Sequence, residues 1–242
     1  LSSLAIVAIG RAGGAEYDFR VDGTADWQWS DDELERVLDE HVVAVHSGSL
    51  ALTIEPGAGA ITRLLDRART TATVSYDPNC RPLLMGSAID VLERVDTMLG
   101  IADVVKASAE DVGWLLPGRA LDDVVTEWLA KGPAVVAITM GSEGVVAATR
   151  NSGIVRRPGH LVRVVDTVGA GDAFTSALIA SLHRRSLLGA ARRDRLQVID
   201  DTTLAQVLDD AVLASAITCT RRGAEPPTLD EVALHRGTHA PV

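Results

Sequence analysis

The sequence predicts an α/β fold in which a mostly parallel β-sheet is covered by helices on both faces. Short runs rich in β-branched residues alternate with longer runs of helical periodicity through most of the 242 residues. Alternating strands and helices form parallel sheets, because each helix packs over a sheet face between successive strands. Apolar residues make up 47% of the chain, enough for a sizeable core. We expect a single domain over 1–242.

In the first half, each predicted element has a local signal. Two strand-like runs and a turn at Gly13-Gly14 indicate a β-hairpin. Ser30 and Glu33 form a capping-box pair that predicts a helix start. A strand ends at the turn Asp77-Pro78-Asn79. The predicted strands are 4–9, 17–21, 42–45 and 73–76, and the predicted helices are 31–40, 56–69 and 89–99.

The second half continues the alternation. Ser108 follows a short strand and opens a helix, and a turn at 141–143 joins two further strands. The region 184–201 is polar and arginine-rich, which predicts a solvated surface excursion, and the end from His235 predicts a loop and tail. The predicted strands are 104–105, 135–139, 144–149 and 161–165, and the predicted helices are 121–130, one beginning near 170, and 204–219.

Composition narrows the function classes. A net charge of −10 argues against nucleic acid as a partner, since nucleic-acid binding needs a positive surface. Cys80 and Cys219 fit neither a disulfide framework nor a metal site, so we expect thiols in a reducing, cytoplasmic compartment. No apolar run approaches membrane-spanning length, and the start of the chain does not resemble a signal peptide.

The most informative run is Asp166-Thr167-Val168-Gly169-Ala170-Gly171-Asp172-Ala173-Phe174. A strand, a glycine-rich turn and a helix start in this order leave backbone N–H groups free to bind phosphate oxygens. Asp172 then lies in the first helical turn, where a carboxylate can act as a base toward a substrate hydroxyl. The combination indicates phosphoryl transfer to an alcohol. The alternative is an ordinary strand–turn–helix junction, which does not require nine residues in this order.

This run resembles the signature of the PfkB carbohydrate kinases, Asp-Thr-x-Gly-Ala-Gly-Asp-x-Phe, at every fixed position. The resemblance implies a ribokinase-like three-layer α/β/α sandwich, ATP and Mg²⁺ as cofactors, and a small β lid of which 1–25 is a remnant. It also implies that Asp172 is the catalytic base, that the amides of Gly169, Ala170 and Gly171 form the anion hole, and that Thr167 contacts nucleotide.

Two further segments resemble elements of the same family. Thr139, Gly141 and Gly144 match a Thr-x-Gly-x-x-Gly nucleotide element, or are an ordinary glycine turn. Asn79 and Arg81 match an Asp-x-Asn-x-Arg segment that would face phosphates or the sugar, since arginine donates bidentately to phosphate. The alternative for this second segment is a proline-braced turn with a surface arginine.

Metal and adenine sites follow from the resemblance alone. The family's Asn-x-x-Glu motif, tied to Mg²⁺, is replaced by Ser108-x-x-Asp111 with Glu110 adjacent, which is equally well explained as helix N-cap chemistry. Ala216 and Gly223 would border the adenine, or reflect close helix packing. Asp166 could hold a monovalent cation such as K⁺.

The N-terminal sugar-binding segment of the family has no counterpart, so the sequence is expected to be truncated relative to it. Three segments resemble bacterial fructokinases, which implies ATP-dependent phosphorylation of a primary sugar hydroxyl. They are Ala-Asp-Trp-Gln-Trp at 25–29, His46-x-Gly48-Ser49-Leu50 and the stretch 106–111. The alternatives are a non-catalytic nucleotide-binding remnant and a kinase for a nucleoside or another small alcohol. The expected partners are a sugar and ATP, with no nucleic acid or membrane, and a homodimer is possible through the lid.

Overall fold

The computed structural model describes residues 1–9 and 15–238, so the turn predicted at Gly13-Gly14 lies outside the described residues. Strands β1 (Leu4–Ile9) and β2 (Ala15–Arg20) pair antiparallel as a separate two-stranded sheet. The main sheet has six strands in sequential order. They are β3 (Ala44–Gly48), β4 (Thr73–Asp77), β5 (Val104–Ser108), β6 (Val135–Thr139), β7 (Val145–Thr149) and β8 (Val155–Arg157). The first four strands pair in parallel, β7 pairs antiparallel with β6, and β8 pairs antiparallel with β7.

Helices cover both faces of the main sheet. In chain order they are α1 (Asp31–Leu34), α2 (Gly57–Ala68), α3 (Pro82–Met85), α4 (Ala88–Ile101), α5 (Ala109–Leu115), α6 (Leu121–Lys131), α7 (Ala170–Arg184), α8 (Arg193–Gln197), α9 (Asp201–Cys219) and α10 (Leu229–Thr238). One core packs α2, α4, α5 and α6 on the sheet, and a second core packs α7, α8 and α9 on the other face. The predicted three-layer α/β sandwich is confirmed.

Strand alternation assigns each side chain to one of the two cores. Val105 belongs to the core beneath α4 and α5, while its neighbour Val104 belongs to the core beneath α7 and α9. The same alternation on β4 places Val74 and Tyr76 in the first core. The odd-numbered positions of β4 and the even-numbered positions of β5 therefore face α7.

The prediction of a strand at 161–165 is wrong. This segment lies outside the sheet, and the Val165 amide donates to the carbonyl of Cys219 at the end of α9 at 2.8 Å. Leu161 and Val164 are exposed. β-Branched residues favour extended backbone, but a strand also needs a neighbouring strand, and β8 is the last strand of the sheet in this direction.

Other boundaries and surfaces also differ from prediction. The helix predicted over 31–40 ends at Leu34 and continues only as a 3₁₀ turn to Val37. The region 184–201 contains α8 and is not simply a solvated face, because Leu196 is fully buried. The tail predicted from His235 is helical as far as Thr238, because α10 runs over Leu229–Thr238 and is held to α9 by the buried Val232. None of the described helices is long and apolar enough to span a membrane.

Candidate active site

Three neighbouring parallel strands end in polar residues at the same edge of the sheet. Asp77 ends β4, Ser108 ends β5 and Thr139 ends β6, and the three strands are hydrogen-bonded neighbours. The N-terminus of α7 lies at the same edge, because an added Cβ on Gly171 would lie 3.2 Å from Lys106 Nζ on β5. Ligands of such sheets bind beyond the carboxyl ends of the strands, so this edge is the candidate site.

Asp166 joins the glycine turn to the loop after α9. Its carboxylate accepts hydrogen bonds from the Val168 amide at 3.0 Å and from the Gly223 amide at 2.9 Å. These two N–H donors, the Val168 amide first, lower the pKa of Asp166. The contact brings two predicted site residues together, Asp166 and Gly223, which are 57 positions apart in sequence.

Gly169 is required by the geometry of the turn. Its φ of 79° is left-handed, and a Cβ at this position would lie 2.7 Å from the Cβ of Ala224. Gly169 occupies the N-cap position of α7, so the helix begins without a side-chain cap. Apart from the Ala170 amide, the first-turn amides of α7 are therefore left available for an anion.

Asp172 is exposed in the first turn of α7, where a bound substrate could reach it. Of the three amides predicted to form the anion hole, that of Ala170 donates to the Thr167 carbonyl at 3.2 Å and closes the turn. The roles of Asp172 and of the amides of Gly169, Ala170 and Gly171 stay predictions.

A buried ion pair lies beneath the turn. Lys106 Nζ is 2.8 Å from Asp77 Oδ2, and the two side chains are only 5% and 6% exposed. Burial raises the pKa of Asp77, while the ammonium of Lys106 opposes that shift. Sequence reasoning assigned no role to Lys106. A sequence signal for Lys106 does exist, because it is a lysine between apolar residues of a predicted strand. A lysine in such a position is buried, and a buried lysine needs a partner.

His46 is a second residue to which the sequence analysis assigned no role, although it lies in a segment that resembles fructokinases. It pairs with Ser75 in the β3–β4 register, and its Nδ1 lies 3.0 Å from Ser75 Oγ. Part of the imidazole is exposed, but enough protein surrounds the ring that burial lowers the pKa of His46. The charge of Asp172 raises that pKa and the charge of Lys106 lowers it, so these groups share one electrostatic environment.

The Asn79–Arg81 turn is folded on itself. An Arg81 guanidinium nitrogen donates to Asn79 Oδ1 at 2.8 Å and to the Cys80 carbonyl at 2.9 Å. The Asn79 amide donates to Asp77 Oδ1 at 3.1 Å, and Asn79 has a left-handed φ of 37°. These contacts place the turn at the site edge. Phosphate or sugar binding by Asn79 and Arg81 stays a prediction.

Ser108 and Asp111 form a complete capping box at the start of α5. The Asp111 carboxylate accepts hydrogen bonds from the Ser108 amide, from Ser108 Oγ and from the Cys80 amide at 2.7 to 2.8 Å. Both Asp111 oxygens are thus engaged, while the neighbouring Glu110 is exposed. Within 1–9 and 15–238, no group of three or more His, Cys, Asp or Glu side chains could hold a metal ion. Ser108, Glu110 and Asp111 therefore do not fit a metal site made by protein side chains alone.

The predicted nucleotide residues lie around the same edge. Thr139 Oγ1 donates to the Ala107 carbonyl at 3.3 Å, and Gly141 follows in a 3₁₀ turn. Gly144 has a packing requirement, since a Cβ there would lie 2.0 Å from the Arg157 carbonyl oxygen. Ala216 is buried in α9. Nucleotide binding by these residues stays a prediction.

Two open concave surfaces in the described part of the chain, of about 450 and 530 Å³, lie away from this edge. One borders α6 and β7, and the other borders the start of α9. Neither contains a predicted site residue. We therefore locate the candidate site at the sheet edge, where the predicted site residues lie, and not in either cavity.

A glycine turn at a helix N-terminus, with a carboxylate beside it at the open edge of a parallel sheet, defines an α/β protein of the phosphate-handling class. The model of the pfkB family carbohydrate kinases matches residues 3–231, and the chain belongs to this family. The resemblance drawn from the signature run is therefore confirmed.

Fructokinases are among the similar proteins. The fructokinase of Rhizobium leguminosarum bv. trifolii is 35% identical over 176 residues, which cover 73% of this chain and 53% of that relative. Fructokinase-1 of Oryza sativa subsp. japonica is 31% identical over 236 residues, covering 96% and 70%. The solved structure of Xylella fastidiosa fructokinase with bound ATP has 25% identity and a TM-score of 0.86, covering 98% of this chain and 73% of that one. The chain thus spans about half of the Rhizobium relative.

Proposed function

We propose that the protein transfers the γ-phosphoryl group of ATP to a primary hydroxyl of a sugar, with fructose as the preferred acceptor. The observation that carries this proposal is the placement of Asp172, an exposed carboxylate in the first turn of α7, directly after the glycine turn. The fructokinase relatives support fructose as the acceptor, and the Xylella fastidiosa structure with bound ATP supports ATP as the donor.

In this mechanism Asp172 accepts the proton of the sugar hydroxyl as the oxygen attacks the γ-phosphorus. The new oxygen–phosphorus bond forms as the bond to the β–γ bridging oxygen breaks, and ADP leaves. The amides of Gly169 and Gly171 stabilise the negative charge on the transferred group. The Ala170 amide contributes least in the described geometry, because it already donates to Thr167.

The remaining site residues bind the nucleotide and its ions. We assign Thr139, Gly141, Gly144 and Thr167 to the phosphates and ribose, Ala216 and Gly223 to the adenine, and Asn79 and Arg81 to phosphate or the sugar. When bound, Mg²⁺ neutralises phosphate charge. Because the Asp111 oxygens are engaged, the ion would be held by phosphates and water with Glu110 nearby. Asp166 and the Gly223 loop are the proposed site of a monovalent cation such as K⁺.

The proposal also covers the cellular location of the protein and its assembly. Both cysteines of the chain, Cys80 and Cys219, are free thiols, which supports a cytoplasmic location. The single-domain organisation over 1–242, with 1–25 as a lid hairpin, and homodimer formation stay predictions.

Replacing Asp172 with Asn tests the role of this carboxylate. We expect kcat to fall at least ~10²-fold, the usual scale for loss of a general base, with little change in nucleotide affinity. The control is Asp194→Asn, an equal charge change at an exposed position on α8. Turnover retained by Asp172→Asn would remove Asp172 from the mechanism.

A further inference from the structure

The buried ammonium of Lys106 has fewer acceptors than its charge requires. An ammonium carries three N–H donors, and burying a charge is costly unless it is paired and hydrogen-bonded. Among the residues that the structure describes, Asp77 Oδ2 is the one hydrogen-bond acceptor of Nζ, at 2.8 Å. Two donors of a side chain that is only 5% exposed are therefore left for another acceptor.

The position of the Lys106 ammonium indicates where a further hydrogen-bond acceptor would bind. An added Cβ on Gly171 would lie 3.2 Å from Nζ, so the ammonium lies against the first turn of α7. The N-terminus of a helix carries a partial positive charge, and here it faces a full positive charge. The Asp77 carboxylate that binds Lys106 also accepts the Asn79 backbone amide, through Oδ1. An anion between α7 and Lys106 would accept hydrogen bonds from the ammonium and would also be stabilised by the partial positive charge at the N-terminus of α7.

Lysine is rare in this chain, which makes its presence here informative. Lys106 and Lys131 are the only lysines among 23 lysine and arginine residues. Arginine has a wide planar guanidinium, whereas lysine places a compact charge with freely directed donors. A small space beneath a tight glycine turn is suited to the compact ammonium.

We propose that Lys106 is a phosphate-binding residue, which donates to an oxygen of the anion bound at the N-terminus of α7. Asp77 holds the ammonium in place and balances its charge. The proposal rests on the proposed function for the identity of the anion, a phosphate chain, and assigns to the site a residue outside the signature run. The competing explanation is a structural ion pair that joins the ends of β4 and β5.

The test uses inorganic pyrophosphate as the probe and the double variant Asp77→Asn/Lys106→Met. Removing both partners avoids leaving an unpaired buried charge, so the fold should survive. We expect pyrophosphate to bind the double variant at least ~10-fold more weakly in calorimetry, because a charge-assisted hydrogen bond is lost. The matched control is Asp96→Asn/Lys131→Met, which removes a surface pair with the same 2.8 Å separation. It should bind like the unmodified chain.

A second measurement on the unmodified chain does not depend on whether the variant folds. With ¹⁵N-labelled lysine, only two side-chain signals are expected, and pyrophosphate should shift the Lys106 signal and leave that of Lys131 in place. Equal affinity in the double variant, or an unmoved Lys106 signal, would make the pair purely structural. Pyrophosphate binding that depends on Lys106 without any sugar phosphorylation would uphold this inference and reject the proposed function.

Discussion

At the residue scale, three aspartates near one sheet edge have different environments. Asp77 is buried and bonded to Lys106. Asp166 is bound by two backbone amides, and Asp172 is exposed beside the turn. Asp77 is therefore a buried counter-ion, Asp166 is a structural hydrogen-bond acceptor, and Asp172 is accessible to a substrate. The signature run identified Asp166 and Asp172, but the ion pair of Asp77 with Lys106 depends on strand register, which local patterns do not reveal.

Asp166 gives a prediction about acid stability. Its pKa is lowered in the folded state, so its stabilising effect is complete above the ordinary aspartate pKa of 3.8 and is lost as pH falls through the folded value. Asp166→Asn should therefore have a lower thermal midpoint than the unmodified chain at pH 6, and the difference should shrink toward pH 3. Melting curves across this range provide the measurement. A difference that does not change with pH would mean that the carboxylate charge is unimportant.

At the scale of elements, α8 is joined to the sheet by a buried aspartate. Asp103 is 3% exposed and its carboxylate accepts the Val74 amide at 2.9 Å. The Arg193 guanidinium donates to the same carboxylate at 2.5 Å and also to the Arg69 carbonyl at 2.7 Å. The pair joins α8, the end of α2 and the start of β5, at the opposite end of the strands from the site.

Asp103→Ala should destabilise the fold strongly. The substitution leaves the Val74 amide without its acceptor and the Arg193 guanidinium without its carboxylate, for which we expect a loss of ~3–5 kcal/mol in the free energy of unfolding. Denaturant titration measures this loss. Asp194→Ala, at an exposed neighbour of Arg193, should change stability by less than ~0.5 kcal/mol. A small effect of Asp103→Ala would show that the buried pair contributes little.

Most elements were predictable because their signals are local. The strand 135–139 has the predicted bounds, and the Ser30–Glu33 capping box is present. The failures have tertiary causes. The run 161–165 has strand composition but no strand to pair with, and α10 is weakly amphipathic and is held by Val232 and by arginine pairs to acidic side chains. The link between Asp166 and Gly223 depends on chain topology and has no local sequence signal.

At the scale of the whole molecule, the overall negative charge opposes nucleotide binding. The chain carries a net charge of −10, which repels ATP at long range. Local donors at the N-terminus of α7, with Lys106 beneath, would have to overcome this repulsion. We therefore expect nucleotide affinity to depend on this small set of groups rather than on a basic surface.

Phosphoryl transfer to a sugar is tested by detecting the product, a sugar phosphate, with ³¹P NMR. The chain is incubated with ATP, Mg²⁺ and fructose, and in parallel with ribose, glucose or adenosine. We predict a fructose phosphate formed in equal amount with ADP, and far less product with the other acceptors. Nucleotide that binds without any phosphate ester forming would contradict the claim of phosphoryl transfer. An ester formed preferentially on another acceptor would contradict the assignment to fructose.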